Sequence, residues 1–264
     1  MRTVAGLFDF THAIARAPGR SVVHGLRDGA GADPDFETLA GEHRAYVSAL
    51  QGAGVKVDLL PAEEDLPDSI FVEDAALVFG AGAILLRPGA DSRAGEAALI
   101  APVLNRHFDT VLVLEEGHVD GGDVLLTPHG VVIGLSHRTD RAGAEALGKL
   151  LVRLGQRPVI ASTPAGILHF KTGCGMIDEQ TILVAPAMAD CPAFAGLRVL
   201  VTPAGEEGAA NVLRVRDRLF IGAQWPRSRD LIEKLGIETL PLAVSEIAKV
   251  DAGLSCMSLR WRAG

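Results

Sequence analysis

Short runs of Val, Ile and Leu, broken by Gly, Asp or Pro, recur along the whole chain. Runs of that length bounded by turn residues read as short buried strands rather than long helices. Several come in pairs joined by small polar turns. Strands are expected near 70–79 and 82–87, 123–127 and 130–135, 168–177 and 181–185, and 210–215 and 218–222, with one more near 254–261. Taking Phe71, Val119, His169, Ala210 and Asp251 as unit starts gives spacings of 48, 50, 41 and 41 residues. A period of about 40–50 residues marks a repeat architecture. Turns rich in Arg and Pro follow the hairpins and lead into amphipathic stretches, so helices are expected over 36–52, 92–106, 140–154 and 228–235. In the first, Leu39, Tyr46, Val47 and Leu50 fall near helical spacing, and Gly52 and Gly54 end the run.

The segment THAIARAPGRSVVHGLR has the same strand-then-turn form, so the chain starts and stops mid-unit. The C-terminal strand is then expected to pair with the N-terminal one. That closes a five-unit, pseudo-symmetric α/β ring with few exposed sheet edges and helices on its outside. No low-complexity linker divides it, so a single domain over 1–264 is expected.

Composition narrows the function classes. With 48% apolar and 22% charged residues, the chain is globular rather than disordered. Its net charge of -8 leaves no Lys/Arg excess to release counterions from nucleic acid, and suits a small cationic substrate. Cys174, Cys191 and Cys256 are odd in number and widely spaced, without a CxxC. They form neither a disulfide framework nor a zinc site, and leave room for one reactive thiol. Asp9 and His12 interrupt the apolar N-terminal stretch, unlike a secretory signal. No run approaches the roughly 18 apolar residues of a membrane span. A cytoplasmic protein with neither nucleic-acid nor membrane partners is expected.

Five places carry candidate chemistry. LPDSIFVED supplies Asp68, Glu73 and Asp74 beside apolar residues. A buried unpaired charge is costly, so these acids need an Arg or a cationic ligand unless the segment is a solvent-facing turn. In GHVDGGDVLL, Asp120 and Asp123 flank two glycines that permit close backbone approach; the spacing fits neither an EF-hand nor a P-loop. His169 in GILHFKTG is a structural histidine unless a nucleophile lies near it. Cys256 in GLSCMSLRW reads equally as a small core residue. The repeat, however, puts it in phase with the Asp120 and His169 segments, and equivalent positions in a ring converge on its centre. Thiol, imidazole and carboxylate together form a recurring nucleophilic arrangement. Arg93 and Arg138 occupy turns after hairpins, either as helix-entry surface charges or as guanidinium clamps for a carboxylate.

LPDSIFVED, VDGGDVLL, GLSHRT, LHFKTG and VDAGLSCMSLRW, in this order over about 190 residues, resemble the dimethylarginine dimethylaminohydrolase family. That family belongs to the guanidine-modifying superfamily, with arginine deiminases and amidinotransferases. The resemblance implies a five-unit α/β propeller of the pentein type with the active site in its central channel. It implies Cys256 as nucleophile, His169 as general acid/base and Asp120 as the carboxylate that orients the imidazole. Asp68, Glu73 and Asp74 would line the substrate pocket, Arg93 and Arg138 would take the α-carboxylate, and Leu26 and Val250 would add main-chain or apolar contacts. The implied reaction is hydrolysis of Nω-methylated arginines to citrulline and a methylamine through a Cys-thiouronium, with no metal and no organic cofactor. A small cationic guanidino compound is the expected partner, and a homodimer the assembly to look for.

Departures from the relatives favour methylated over free arginine. Arginine deiminases carry an acid where this chain has Lys171, an Arg-Asp pair where it has Glu73-Asp74, and an added helical module. Arginine deiminase, hydrolysis of another alkylated guanidine, and non-catalytic binding of arginine-like ligands remain alternatives. Cys174 and Cys191 match no catalytic block and are expected to be structural. The Gly/Asp-rich loop at 19–35 is a candidate cover for the channel.

Overall fold

The computed structural model describes residues 6–29 and 31–263. Its elements begin with β1 (His12–Arg16), α1 (Phe36–Gly52), β2 (Lys56–Leu60), β3 (Ala76–Phe79), β4 (Gly82–Leu85), α2 (Glu96–His107) and β5 (Val111–Val113). They continue with β6 (Val124–Thr127), β7 (Gly130–Leu135), α3 (Arg141–Arg153), β8 (Pro158–Ser162), β9 (Cys174–Met176), β10 (Thr181–Val184) and β11 (Arg198–Val201). The last are β12 (Leu213–Val215), β13 (Arg218–Gly222), α4 (Pro226–Glu233), β14 (Thr239–Leu242) and β15 (Leu259–Trp261).

Among the described residues these strands form five three-stranded sheets: β15-β1-β2, β3-β4-β5, β6-β7-β8, β9-β10-β11 and β12-β13-β14. Every sheet has the same internal plan. Its first two strands pair antiparallel, and the third runs parallel to the second. A parallel neighbour needs a long crossover, and α1, α2, α3 and α4 provide it in four units. Between β10 and β11 the crossover is two 3-10 turns, Pro186–Met188 and Pro192–Phe194. Each begins on a proline, whose missing N–H and fixed φ suit a turn entry but not a helix interior.

The first and last strands pair as expected: Ile14 faces Leu259, Ala13 faces Arg260 and His12 faces Trp261. Closure by a continuous strand ladder is not what the structure has, because strand pairing stops at the edge of each sheet. The sheets meet through side chains instead. The leading strands β3, β6, β9, β12 and β15, one from each sheet, line a single apolar cavity.

Two corrections to the expected elements matter for the site. The strands expected at 70–79, 123–127, 168–177, 210–215 and 254–261 are shorter. Turns of 3-10 type at Pro67–Ile70, Val72–Ala75, Gly121–Asp123, Phe170–Thr172 and Glu207–Ala210 precede the leading strands. In these turns side chains compete for backbone groups that a strand ladder would use; the Asp123 carboxylate, for example, accepts the Phe170 N–H at 2.8 Å. The parallel strands β2, β5, β8, β11 and β14 went unforeseen because they are short and largely half-exposed, and some mix polar with apolar residues, as in KVDLL. The helices fall close to expectation. Asp35 caps α1 through the Thr38 N–H at 2.8 Å, Asp140 caps α3 through the Gly143 N–H at 2.7 Å, and Pro226 opens α4.

Trp261 anchors the terminal pairing. It is 4% exposed, its ring stacks on His12 at 5.5 Å, and it meets His107 and Phe108 at 5.0 Å each. Trp261→Ala is expected to cost about 3–5 kcal/mol in urea unfolding, as for large buried aromatics. A loss below about 1 kcal/mol would show that this strand is not needed to hold the first sheet together.

Candidate active site

The chemistry-bearing residues sit in the turns that precede the leading strands. Glu73 and Asp74 lie in the turn before β3, and Asp120 and Asp123 flank the Gly pair before β6. His169 immediately precedes the turn before β9, and Cys256 lies just ahead of β15. Equivalent turns of separate units therefore deliver different groups to one place. Asp68, Asp74, Arg93, Asp120, Arg138, His169, Val250, Leu26 and Cys256 all line the same narrow pocket. Both glycines of the DGGD segment are there for close approach. A Cβ at Gly121 would stand 1.9 Å from the Glu73 carbonyl oxygen, and one at Gly122 would stand 2.8 Å from the His169 ring.

His169 Nε2 bonds Asp120 Oδ2 at 2.9 Å. The other oxygen of Asp120 accepts the Gly89 N–H at 2.7 Å, so the carboxylate is itself oriented. Burial disfavours the imidazolium, but Asp74, the Asp120 hydrogen bond and Asp123 outweigh it and raise His169 to about 9. Asp123 accepts from Ser136 Oγ at 2.6 Å, Thr139 Oγ1 at 2.7 Å and the Phe170 N–H at 2.8 Å. Burial still raises its pKa.

Asp74 accepts Arg93 Nη1 at 2.6 Å and the Gly122 N–H at 2.7 Å. Burial opposes its charge, yet the Arg93 guanidinium, His169 and these hydrogen bonds hold it at about 2. Asp68 accepts the Leu26 N–H at 2.9 Å, and burial pushes its carboxyl up. Leu26, Arg27 and Asp28 of the loop expected as a cover line the pocket, and the Asp28 N–H reaches Asp251 at 2.6 Å. Ala30 of that loop is outside the described residues.

Cys256 keeps partial exposure on the pocket. Burial, then Glu73 and Asp74, push its thiol up to about 12. In the free pocket, which both residues line, the protonated form is therefore favoured for the Cys256 thiol and for the His169 imidazole alike.

Two residues are placed differently from expectation. Glu73 does not line this pocket; it faces the apolar cavity behind it, with Lys171 Nζ at 2.6 Å and Arg260 Nη2 at 3.1 Å. Of the two partners foreseen for a buried acid here, an Arg of the protein or a cationic ligand, Glu73 has the first, with Lys171 beside it. Arg93 lines the pocket but is only 4% exposed. Its fork is committed to Asp74, to both oxygens of Glu96 and to the Phe71 carbonyl. An arginine so engaged orients Asp74 and leaves one N–H of Nη1 without a protein partner among the described residues. Burial raises its partner Glu96 to about 7, against the pull of Arg93. Arg138 has no carboxylate partner among the described residues.

Asn211, Glu96 and Arg260 were missed, and Lys171 entered only as a departure from arginine deiminases. Asn211 follows the fourth unit's turn; its Oδ1 accepts the Ser255 N–H at 3.0 Å and its Nδ2 donates to the Lys171 carbonyl at 3.2 Å. The repeat register was the available signal for it. Asp74, Asp120 and His169 offer ligand atoms within 4.8 Å of one another. A dication there would have to displace the His169 proton and would lie close to the Arg93 guanidinium that Asp74 already binds, so the charge pattern fits proton transfer better than metal binding.

A family model described as arginine deiminase matches residues 62–199. An N(G),N(G)-dimethylarginine dimethylaminohydrolase of Pseudomonas aeruginosa is 36% identical over 254 residues, covering 96% of this chain and 100% of that protein. The chain belongs to the dimethylarginine dimethylaminohydrolase family. A solved family structure from the same species, a cysteine-to-serine variant complexed with citrulline, superposes with a TM-score of 0.92 at 36% identity, covering 96% of this chain and 100% of that one. A second family structure, an adduct with S-methyl-L-thiocitrulline, superposes with a TM-score of 0.91 at 37% identity, over 95% of this chain and 99% of the other.

His169 titrates near 9 in the fold against an ordinary 6.5. Its imidazolium therefore stabilises the fold fully below pH 6.5, and that contribution is lost as the pH rises through about 9. The stability difference between the parent chain and His169→Gln is expected to shrink between about pH 6 and pH 10. Chemical denaturation at both ends of that range measures it; equal differences would contradict an imidazolium at neutral pH.

Proposed function

We propose that the chain hydrolyses Nω-methylated arginines to citrulline and a methylamine, with Cys256 as nucleophile, His169 as general acid/base and Asp120 as the residue orienting the imidazole. The observation that carries this reading is the shared pocket: a thiol, an imidazolium bonded to a buried carboxylate, and an ionised Asp74 all line it. The citrulline complex and the thiocitrulline adduct of the relatives support the same substrate class. The five sheets stand as blades about a common channel, with the pocket at one end and the apolar cavity behind it. The whole forms one catalytic domain. Three unpaired cysteines suit the reducing cytoplasm.

A guanidinium carbon is a weak electrophile because its charge is spread over three nitrogens. Asp74 holds the guanidinium and fixes that carbon against the sulfur, while Arg138 takes the α-carboxylate and Asp68, Leu26 and Val250 shape the pocket around the chain. The incoming cation offsets the acids that keep the thiol protonated, and its proton passes to solvent. The thiolate then adds to the guanidinium carbon, forming the C–S bond. As the bond to the methylated nitrogen breaks, the His169 imidazolium gives its proton to that nitrogen and the amine departs. The neutral imidazole next takes a proton from a water whose oxygen adds to the same carbon. The C–S bond breaks, the thiolate returns, and citrulline forms as the remaining hydroxyl proton leaves. Acid/base help of this kind contributes roughly 10²–10⁴-fold.

Citrulline is expected from dimethylarginine and monomethylarginine, with arginine a poor substrate. Cys256→Ser is expected to abolish turnover while keeping the thermal stabilisation by ligand, and Asp120→Asn to lower kcat by about 10²-fold. Product from arginine alone would replace the substrate assignment, and turnover by the serine variant would remove Cys256 from the mechanism. Ultraviolet absorbance of the thiolate at neutral pH is expected to rise when a non-reactive guanidinium ligand is added; an unchanged spectrum would discard the substrate-assisted ionisation.

A further inference from the structure

Behind the nucleophile lies a set of contacts that the reaction above does not use. Arg260 is on β15, shortly after Cys256, and its side chain is nine-tenths buried. Nη1 donates to the Ser255 carbonyl at 2.9 Å, the Ser258 carbonyl at 2.6 Å and Ser258 Oγ at 2.7 Å. These atoms bracket Cys256 on both sides along the chain. Nη2 donates to Glu73 Oε1 at 3.1 Å. Glu73 in turn contacts the same turn twice: its N–H donates to the Cys256 carbonyl at 3.3 Å, and its Oε2 accepts Ser255 Oγ at 3.1 Å. Tyr46 of α1 closes the group through Ser258 Oγ at 2.5 Å.

We propose that Arg260 is a positioning residue for the nucleophile: its fork holds the Ser255–Ser258 turn in one shape and balances the Glu73 charge behind the sulfur. The inference rests on the reading of Cys256 as nucleophile and adds to it a residue that touches no substrate. A planar guanidinium reaches two carbonyls, a hydroxyl and a carboxylate at fixed angles, and a lysine ammonium cannot reproduce that fork. With Arg260 gone the turn loses its internal clamp, and Lys171 alone faces Glu73. The sulfur then drifts from its line of attack, and a displacement of about 1 Å is enough to cost on the order of 10²-fold in rate. Substrate contacts lie in the pocket on the other side of the turn and are untouched.

The test compares Arg260→Met, Arg260→Lys and Arg260→Met/Glu73→Gln with the parent chain, each checked for folding by circular dichroism. For Arg260→Met, kcat on dimethylarginine is expected to fall by about 10²-fold with KM within about threefold. Iodoacetamide alkylation of Cys256 at pH 8, followed by peptide mass spectrometry, is expected to slow at least about tenfold, because Glu73 is left undercompensated. Arg260→Lys is expected to recover most of the alkylation rate but less than half of kcat, and Glu73→Gln to recover alkylation in the double variant. Parent-like kcat and alkylation in Arg260→Met, or a raised KM at unchanged kcat, would overturn the proposal. Should Arg260→Met not fold, Arg260→Lys decides it: full kcat overturns, and reduced kcat at constant KM supports. Alkylation needs no substrate, so it judges Arg260 even if the parent chain turns over no methylated arginine.

Discussion

The buried ion pair between Asp74 and Arg93 is the contact on which the site depends. A carboxylate taken out of water survives as an anion only if nearby cations and donors replace its hydration. Arg93 and the Gly122 N–H do this for Asp74. The anion so preserved helps to keep His169 protonated and Cys256 un-ionised. Arg93 in turn is stationed by Glu96 on α2 and by the Phe71 carbonyl. A charge fixed by the helix of one unit thereby sets the protonation state of groups delivered by two others.

Repetition makes this economical in geometry. Each unit brings the same short turn to the same end of the molecule, and the turn can carry an acid, an imidazole, an amide or a thiol without altering the strand that follows. The units share a backbone plan but not a chemistry: Asp74, Asp120, His169, Asn211 and Cys256 lie in or next to the segment that precedes the leading strand of each of the five units. A glycine appears where two of those turns touch, as at Gly121 against the Glu73 carbonyl. Two cations and a serine behind Cys256 separate the polar pocket from the apolar cavity.

Much of this was legible in the amino-acid order. Paired apolar runs mark the hairpins β3–β4, β6–β7, β9–β10 and β12–β13, and Arg- and Pro-rich turns before amphipathic stretches mark the helices. The grouping of Asp120, His169 and Cys256 followed from repeat phase and family resemblance, and one pocket holds all three. What stayed hidden depended on side-chain direction. Glu73 and Asp74 are neighbours in a 3-10 turn and point to opposite sides of it, one to the rear cavity and one to the pocket. No pattern of residue types distinguishes them. Arg93 had the right charge for a substrate carboxylate, but its commitment to Glu96 three residues later is visible only once α2 packs behind the turn. The outer parallel strands lack a clean period of two and stand apart from the hairpins, so even apolar runs such as Val111–Val113 are too short to stand out as strands.

The pairing of β1 with β15 also bears on synthesis at the ribosome. A nascent chain can complete four sheets while β1 and β2 still await their third partner, and during that interval it already holds the acids and the imidazole but no sulfur beside them. Cys256 arrives with the strand that completes the first sheet, so a product stalled before that strand lacks the thiol that shares a pocket with Asp120 and His169.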